Sequence, residues 1–159
     1  MVSAPPKPKP PPEVSQVDLK SYKPNEAGAI MIIMYHRFNP KEKSWHLNRP
    51  PEEFRKDIET MYEQGYRPVN VSDIVNNRMD VPPGKTPIAL TFDDALLTQF
   101  KLVTGTDGQA HIDPDCAVGI METFHKNHPD WNLKGRFFVL PKEGPRGTDP
   151  FGQADSVSE

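Results

Sequence analysis

The clearest hydrophobic pattern along the chain is a short apolar run that leads directly into two acidic residues. Residues 86–94 read Thr-Pro-Ile-Ala-Leu-Thr-Phe-Asp-Asp, and most side chains from Ile88 to Phe92 are apolar. A nearly continuous apolar run of this length predicts a parallel strand that is buried on both faces. Asp93 and Asp94 then stand at its carboxyl end, which is where parallel α/β sheets hold their ligands.

Other strand patterns occur on both sides of this run. An apolar segment over 29–35 predicts a first strand, and shorter strands are predicted over 68–71 and 136–140. The glycine-containing segment 101–113 has no clear period and is predicted to be a surface loop, with a substrate-bordering loop as the alternative.

Three helices are predicted between these strands. One starts near Pro51, because proline is favoured in the first turn, and Gly65 is suited to the position after its end. Ser72 is expected to cap a brief second helix, and Asp113 and Pro114 to open a third. The first helix has one apolar stripe, which consists of Phe54, Ile58, Met61 and Tyr62. Alternating strands and helices predict an α/β fold with a parallel sheet, either open or closed into a barrel.

The two ends of the chain lack this alternation. Six of the eight residues from Pro5 to Pro12 are proline, so residues 1–28 are predicted to be an extended, disordered Pro/Lys-rich tether. A ligand for a proline-recognition module is the alternative interpretation. Residues 141–159 are rich in Gly, Pro, Asp and Ser and are predicted to be an irregular tail. The predicted folded domain therefore covers residues 29–140.

Charge and cysteine content narrow the possible functions. A net charge of −3 indicates neither nucleic acid nor an anionic membrane surface as a partner. No apolar run is long enough for a transmembrane segment, and no signal-peptide pattern is visible. The single cysteine, Cys116, excludes an internal disulfide, and its helical surroundings favour a buried core residue.

Several of these segments together resemble the polysaccharide deacetylase family, which has the NodB-homology domain of carbohydrate esterase family 4. The resemblance rests on Thr-Phe-Asp-Asp after its strand, on the first strand through Tyr35, His36 and Arg37, and on Gly135 to Val139. The helix from Pro51 and the turn around Gly65 fit the same order. The resemblance implies the N-terminal part of a NodB-like (β/α) barrel, truncated before its second half. A chain cut in this way is expected to be inactive alone.

The resemblance also implies a reaction and assigns roles to the two aspartates. The family hydrolyses N-acetyl groups, or less often O-acetyl groups, on polysaccharides such as peptidoglycan or chitin-like glycans. Asp93 then corresponds to the catalytic base and Asp94 to a ligand of a divalent metal, expected to be zinc. The metal would acidify the attacking water, and Asp93 would remove its proton. Alanine at position 95 replaces a usual glycine, which puts the tightness of the turn in question.

A catalytic zinc needs about three protein ligands, and one carboxylate does not suffice. In the family the other two ligands are histidines of an H-[S/T]-x-x-H motif beyond the strand that matches 136–140, so they are expected beyond Glu159. His125 and His128 have the wrong spacing and precede that strand. They are expected at a helix end, where histidine suits the helix dipole.

Other residues near the predicted strand ends are candidates for substrate contact. His36 follows the first strand and would lie near Asp93, either touching substrate or closing the strand by a hydrogen bond. Tyr35 and Arg37 share that position. Trp45 and His46 lie in the next loop, where the tryptophan would stack on a sugar or anchor the loop on the core.

Three functions are compatible with these observations. The leading one is a metal-dependent deacetylase that acts on a polysaccharide in an extracytoplasmic or cell-surface location, since Pro/Lys-rich tethers often follow an export signal or lipid anchor. The second is a deacetylase-like domain that binds glycans or partners without catalysis. The third is a magnesium-dependent phosphoryl-transfer enzyme, disfavoured because no Gly-rich phosphate loop is present. Asp93 and Asp94 as plain turn carboxylates are the non-functional alternative.

Overall fold

The computed structural model describes residues 28–42, 46–140 and 150–152. Three predicted features lie outside these residues: the tether except for Gly28, the tail except for residues 150–152, and Trp45.

A four-stranded parallel sheet forms the centre of the fold. Strand β3 (Thr86–Asp93) is its middle strand, and all of its residues except the two terminal ones are buried. Strand β1 (Met31–Tyr35) pairs with one edge of β3 over residues 88–92. Strands β2 (Tyr66–Pro68) and β6 (Arg136–Phe138) pair with residues 86–88 and 91–93 of β3. Because β1 occupies one edge, β2 and β6 share the other, and the predicted α/β class is confirmed.

Helix α1 (Pro51–Glu63) follows the predicted pattern closely. Proline occupies its first turn together with Glu52 and Glu53, whose charges favour the helix dipole. The predicted stripe faces the core: Phe54, Ile58 and Met61 are buried and Tyr62 is half-buried. The helix ends at Glu63 with Gln64 as its C-cap, and Gly65 follows with φ +85°, a backbone conformation that glycine adopts without steric cost.

The starts of the other two helices differ from the predictions. Helix α2 (Val71–Val75) is capped by Asn70 and not by Ser72. The backbone N–H of Asn70 donates a hydrogen bond to Asp73 Oδ2 at 2.9 Å. Helix α3 (Ala117–Asn127) begins after Cys116, and the predicted start at Asp113 and Pro114 is wrong. Those two residues form a turn instead.

The predicted loop over 101–113 is a two-stranded antiparallel hairpin. Strand β4 (Leu102–Thr104) pairs with β5 (Ala110–Ile112), and Leu102 lies opposite Ile112. Gly108 adopts φ +76° in the connecting turn. The strands are only three residues long and are mostly exposed, so they carry too little hydrophobic alternation to be recognised in the sequence.

Helices α1 and α3 pack on one face of the sheet, and the core lies between these two helices and the strands. Ile33 and Tyr35 point from β1 into this core, whereas the alternate residues Ile32 and Met34 are 56% and 57% exposed. The buried core consists of Tyr35, Phe38, Phe54, Ile58, Met61, Ile88, Leu90, Phe92, Ala117, Ile120, Met121 and Trp131. Among the described residues, no helix is both long and apolar enough to cross a bilayer.

Candidate functional site

The carboxyl ends of β1 and β3 place His36 beside Asp93. Tyr35 is the last residue of β1 and pairs with Phe92 of β3. His36, directly after β1, and Asp93, the last residue of β3, therefore lie side by side at the same edge of the sheet. His36 Nε2 lies 3.8 Å from Asp93 Oδ2, and the two side chains are 15% and 31% exposed. The carboxylate is therefore partly shielded from water and has an imidazole within ion-pairing distance.

The chain turns sharply immediately after Asp93. Asp94 has φ +75° and Ala95 has φ +46°, two successive residues in the left-handed region. This break in the strand is the condition under which adjacent aspartates can serve one site, because neighbouring residues of a continuous strand point to opposite faces. Ala95 makes the turn although it is not glycine, in a conformation that costs an L-residue about 1–2 kcal/mol.

Gln99 joins the two strand ends, a role that no pattern in the sequence indicated. Its side chain is fully buried, and its Nε2 donates hydrogen bonds to the backbone oxygens of His36 (2.7 Å) and Asp93 (2.5 Å). A single glutamine in a loop has no periodicity or motif by which it could have been recognised. Only the tertiary structure shows that its amide reaches both strands.

A buried tyrosine lies next to this pair on the β1 side. The Tyr35 hydroxyl donates a hydrogen bond to Asp57 Oδ2 at 3.2 Å, and Arg49 Nε donates to the same oxygen at 2.7 Å. Burial raises the pKa of Tyr35 far above its usual value, and the negative charge of Asp57 and its hydrogen bond add to this. The hydrogen bond to Asp57 also raises the pKa of Arg49. Tyr35 therefore keeps its proton, and its ring belongs to the buried core directly before His36 in the chain.

A cavity of about 800 Å³ opens beside His36. This volume is within the range of small-molecule sites, and the lining combines apolar, amide and charged side chains. His46 lines it, while Arg37 is exposed and its backbone forms a bridge with Asn48 that holds the loop against the strand end. The lining residues are Ile33, Met34, Tyr35, His36, His46, Leu47, Asn48, Arg49, Asp57, Thr60 and Met61.

A short turn from the predicted tail also reaches the site. Residues Pro150–Gly152 form a short turn in which Phe151 has φ +56°, and the Phe151 backbone amide donates a hydrogen bond to the Ala95 backbone oxygen at 2.5 Å. The Phe151 ring packs edge-on against Phe100 and Phe137, with ring centroids 5.8 Å apart in both pairs. A segment near the C-terminus of the chain thus contacts the turn that contains Asp94 and Ala95.

The described residues alone do not form a metal site. No group of three or more His, Cys, Asp or Glu side chains within them is arranged to hold a metal ion. All five histidines of the chain are included, namely His36, His46, His111, His125 and His128. Asp94 therefore has no complete ligand set within these residues.

His125 and His128 have structural roles, as the sequence predicted. The Nδ1 of His125 lies 2.6 Å from the Trp131 backbone oxygen, and His128 caps the end of α3. The His128 ring stacks on Phe124 with centroids 4.1 Å apart and contacts Tyr62. Both imidazoles are therefore occupied at the end of the helix.

Similarity to known proteins is found among solved structures. No family model matches the chain, and no curated protein matches it. The structure is similar to that of the Streptococcus pyogenes deacetylase PplD in complex with acetate, with 20% identity and a TM-score of 0.48. It is also similar to BA0330 from Bacillus anthracis, provisionally named a polysaccharide deacetylase, with 18% identity and a TM-score of 0.39.

These matches cover much of this chain but less than half of either neighbour. With PplD, 70% of this chain aligns with 42% of the PplD chain. With BA0330, 69% of this chain aligns with 29% of the BA0330 chain.

Proposed function

We propose that this chain belongs to a metal-dependent hydrolase that removes N-acetyl or O-acetyl groups from a polysaccharide. The observation that carries the proposal is the pairing of His36 with Asp93 at the carboxyl ends of two parallel strands, with Asp94 in the turn that follows. This is the edge of an α/β sheet where ligands bind. The resemblance of the Thr-Phe-Asp-Asp segment and its flanking elements to polysaccharide deacetylases supports the same function.

Asp93 is proposed as the general base of this reaction. Its carboxylate would accept the proton of the attacking water as the water oxygen bonds to the acyl carbon. The bond from that carbon to the sugar nitrogen or oxygen then breaks, and that atom takes up the proton that Asp93 had accepted, which restores the Asp93 carboxylate. The products are acetic acid and the free amine or hydroxyl. His36 lies within 4 Å of the carboxylate, so it is suited to orient Asp93 and to contact the substrate at the mouth of the adjacent cavity.

Asp94 is proposed as one ligand of a divalent metal, with zinc as the expected ion. The proposal requires further ligands, because the described residues do not supply a full set. The family pattern provides two histidines beyond the strand that corresponds to β6. A glycan substrate such as peptidoglycan or a chitin-like polymer agrees with the proposed extracytoplasmic or cell-surface location.

A domain that binds glycans without catalysis is the second candidate function. The observation in its favour is that the described residues contain no group of three or more His, Cys, Asp or Glu side chains arranged to hold a metal ion. In that case the cavity beside His36 would bind sugar, while Asp93 would have no proton to accept.

Acetate release distinguishes the two candidates. The protein as encoded by its gene is incubated with zinc and either N-acetylchitooligosaccharides or peptidoglycan, and free acetate is measured. The proposal expects acetate release that Asp93→Asn lowers by about 10³-fold, the scale of a lost general base. Asp80→Asn, a change of an exposed aspartate outside the site, is the matched control. Glycan binding without acetate release would favour the binding function.

A further inference from the structure

Gln99 is the buried polar residue that touches both strand ends of the site. It is 0% exposed, and its side-chain amide lies between the backbone of His36 and that of Asp93. These two residues carry the side chains that meet 3.8 Å apart. A group that holds both backbones in place therefore also limits where the imidazole of His36 and the carboxylate of Asp93 can lie.

The Gln99 side chain donates hydrogen bonds but accepts none from the described residues. Both bonds are donated by Nε2, whereas Oε1 has no hydrogen-bond partner among the described residues. A buried acceptor without a partner is unfavourable, because it has lost its hydrogen bonds to water. An apolar side chain of similar size would avoid this cost, so the glutamine is best explained by its two donated bonds.

The backbone of Gln99 is itself held in place. Its amide donates a hydrogen bond to the Leu96 oxygen at 2.8 Å, and its oxygen accepts one from Val118 at 3.0 Å. The neighbouring oxygen of Thr98 accepts a hydrogen bond from Ala117 at 3.1 Å. These contacts attach the loop to the first turn of α3, so the Gln99 side chain extends from a fixed support.

We propose that Gln99 is a positioning residue that clamps the carboxyl ends of β1 and β3 together and thereby sets the geometry of the His36–Asp93 pair. The catalytic consequence rests on the proposed function. Gln99 does not contact substrate in this account. It acts through Asp93, whose carboxylate must lie at the correct distance from the attacking water, because a displacement of about 1 Å can lower a rate by about 100-fold.

The test removes both donated hydrogen bonds while the size of the side chain is preserved. Gln99→Met removes the amide, and Gln109→Met makes the same change at an exposed position in the β4–β5 hairpin as a control. Circular dichroism and thermal unfolding establish that each variant is folded. If Gln99→Met does not fold, Gln99→Asn retains an amide that is one methylene too short to reach both oxygens.

Nuclear magnetic resonance then reports the geometry directly. We expect the backbone carbonyl ¹³C signals of His36 and Asp93 to move upfield in the folded Gln99 variant, and the nuclear Overhauser contacts between the two side chains to weaken. The Gln109 variant should retain the wild-type signals. Side-chain contacts of wild-type intensity in the Gln99 variant would overturn the positioning role, because the clamp would then be unnecessary for the pair.

Kinetics separate this proposal from the proposed function. If the wild-type protein releases acetate, Gln99→Met should lower kcat by at least about 10-fold with little change in KM, since Asp93 would be displaced while substrate contacts remain. An unchanged kcat would contradict the positioning role. If the wild-type protein releases no acetate, the proposed function fails, and the magnetic resonance comparison still decides whether Gln99 sets the pair.

Discussion

His36 Nε2 lies 3.8 Å from Asp93 Oδ2, which joins the ends of two neighbouring parallel strands through their side chains. The two groups are partly buried, so their interaction is screened less than that of an ion pair on the open surface. Substitutions at these positions should therefore not act independently.

In the proposed deacetylase, His36→Gln and Asp93→Asn should have effects on kcat that do not multiply. If His36 acts by orienting Asp93, His36→Gln costs about 10-fold in the wild type but almost nothing once Asp93 is asparagine. Acetate-release kinetics on the two single variants and the double variant measure this. His111→Gln, on the exposed hairpin, is the control. Fully multiplicative losses would show that His36 acts without Asp93.

The 159-residue chain alone should bind zinc weakly. All five histidines lie among the described residues, and no three-ligand group forms there. Calorimetric titration with zinc chloride should show no saturable binding at micromolar concentrations, because a stable zinc site needs about three to four protein ligands. Tight stoichiometric binding that Asp94→Asn abolishes would contradict this expectation and show that the chain completes the site in another way.

Arg67→Met should lower the free energy of unfolding by about 3 kcal/mol. Arg67 is 1% exposed, and its guanidinium donates hydrogen bonds to Asp130 and to the backbone oxygens of Tyr62 and Tyr66. Losing this cation leaves those acceptors without their buried donor. Urea denaturation measures the change. Lys56→Met, which breaks an exposed pair with Glu53, should change stability by less than about 0.5 kcal/mol.

The same ion pair should contribute to loss of stability in acid. The hydrogen bond from Arg67 lowers the pKa of Asp130 below its usual value. The resulting stabilisation is present above the unfolded-state pKa of about 4 and is lost as the pH falls through the lower folded-state pKa. Asp130→Asn should therefore flatten the decrease in urea midpoint below about pH 4. Because the Asp130 side chain is 45% exposed, the expected effect at neutral pH is only about 1 kcal/mol.

Tyr35→Phe should reduce the loss of stability at alkaline pH. Burial raises the pKa of Tyr35, so the folded state keeps the phenol proton more strongly than the unfolded state does. This contribution is present below the unfolded-state pKa of about 10 and is lost as the pH rises above it. Urea midpoints between pH 8 and about pH 11 measure the slope. Tyr66→Phe, a change on strand β2, is the control and should keep the wild-type slope.

Gly65→Ala should destabilise the protein by about 1 kcal/mol. Gly65 has φ +85°, and an added Cβ would meet only Lys85 Cδ, at 3.9 Å, so the cost is backbone strain rather than crowding. Thermal or urea unfolding detects it. Gln64→Ala is the matched control, because Gln64 occupies the same turn with φ −73°. Equal stability of Gly65→Ala and the wild type would show that the turn relaxes to a negative φ.

Local patterns in the sequence predicted a large part of this fold. The buried strand β3 and the helix α1 were recognisable because burial on two faces, an apolar stripe and a first-turn proline leave their marks within a few consecutive residues. The β4–β5 hairpin was missed because short exposed strands carry no such mark. The starts of α2 and α3 were predicted at the wrong residues, because capping hydrogen bonds of Asn70 and Cys116 determine where these helices begin.

The sequence by itself therefore determined the central strand β3, the helix α1, the α/β class of the fold and the acidic residues Asp93 and Asp94 as a candidate site. The tertiary structure decided what surrounds them. His36 was predicted to lie near Asp93, and the tertiary structure set the 3.8 Å distance between their side chains. It also placed the Gln99 amide on both strand ends and Phe151 on the turn after Asp94. These contacts depend on strand register and on loops that are distant in sequence, and no local period encodes either of them.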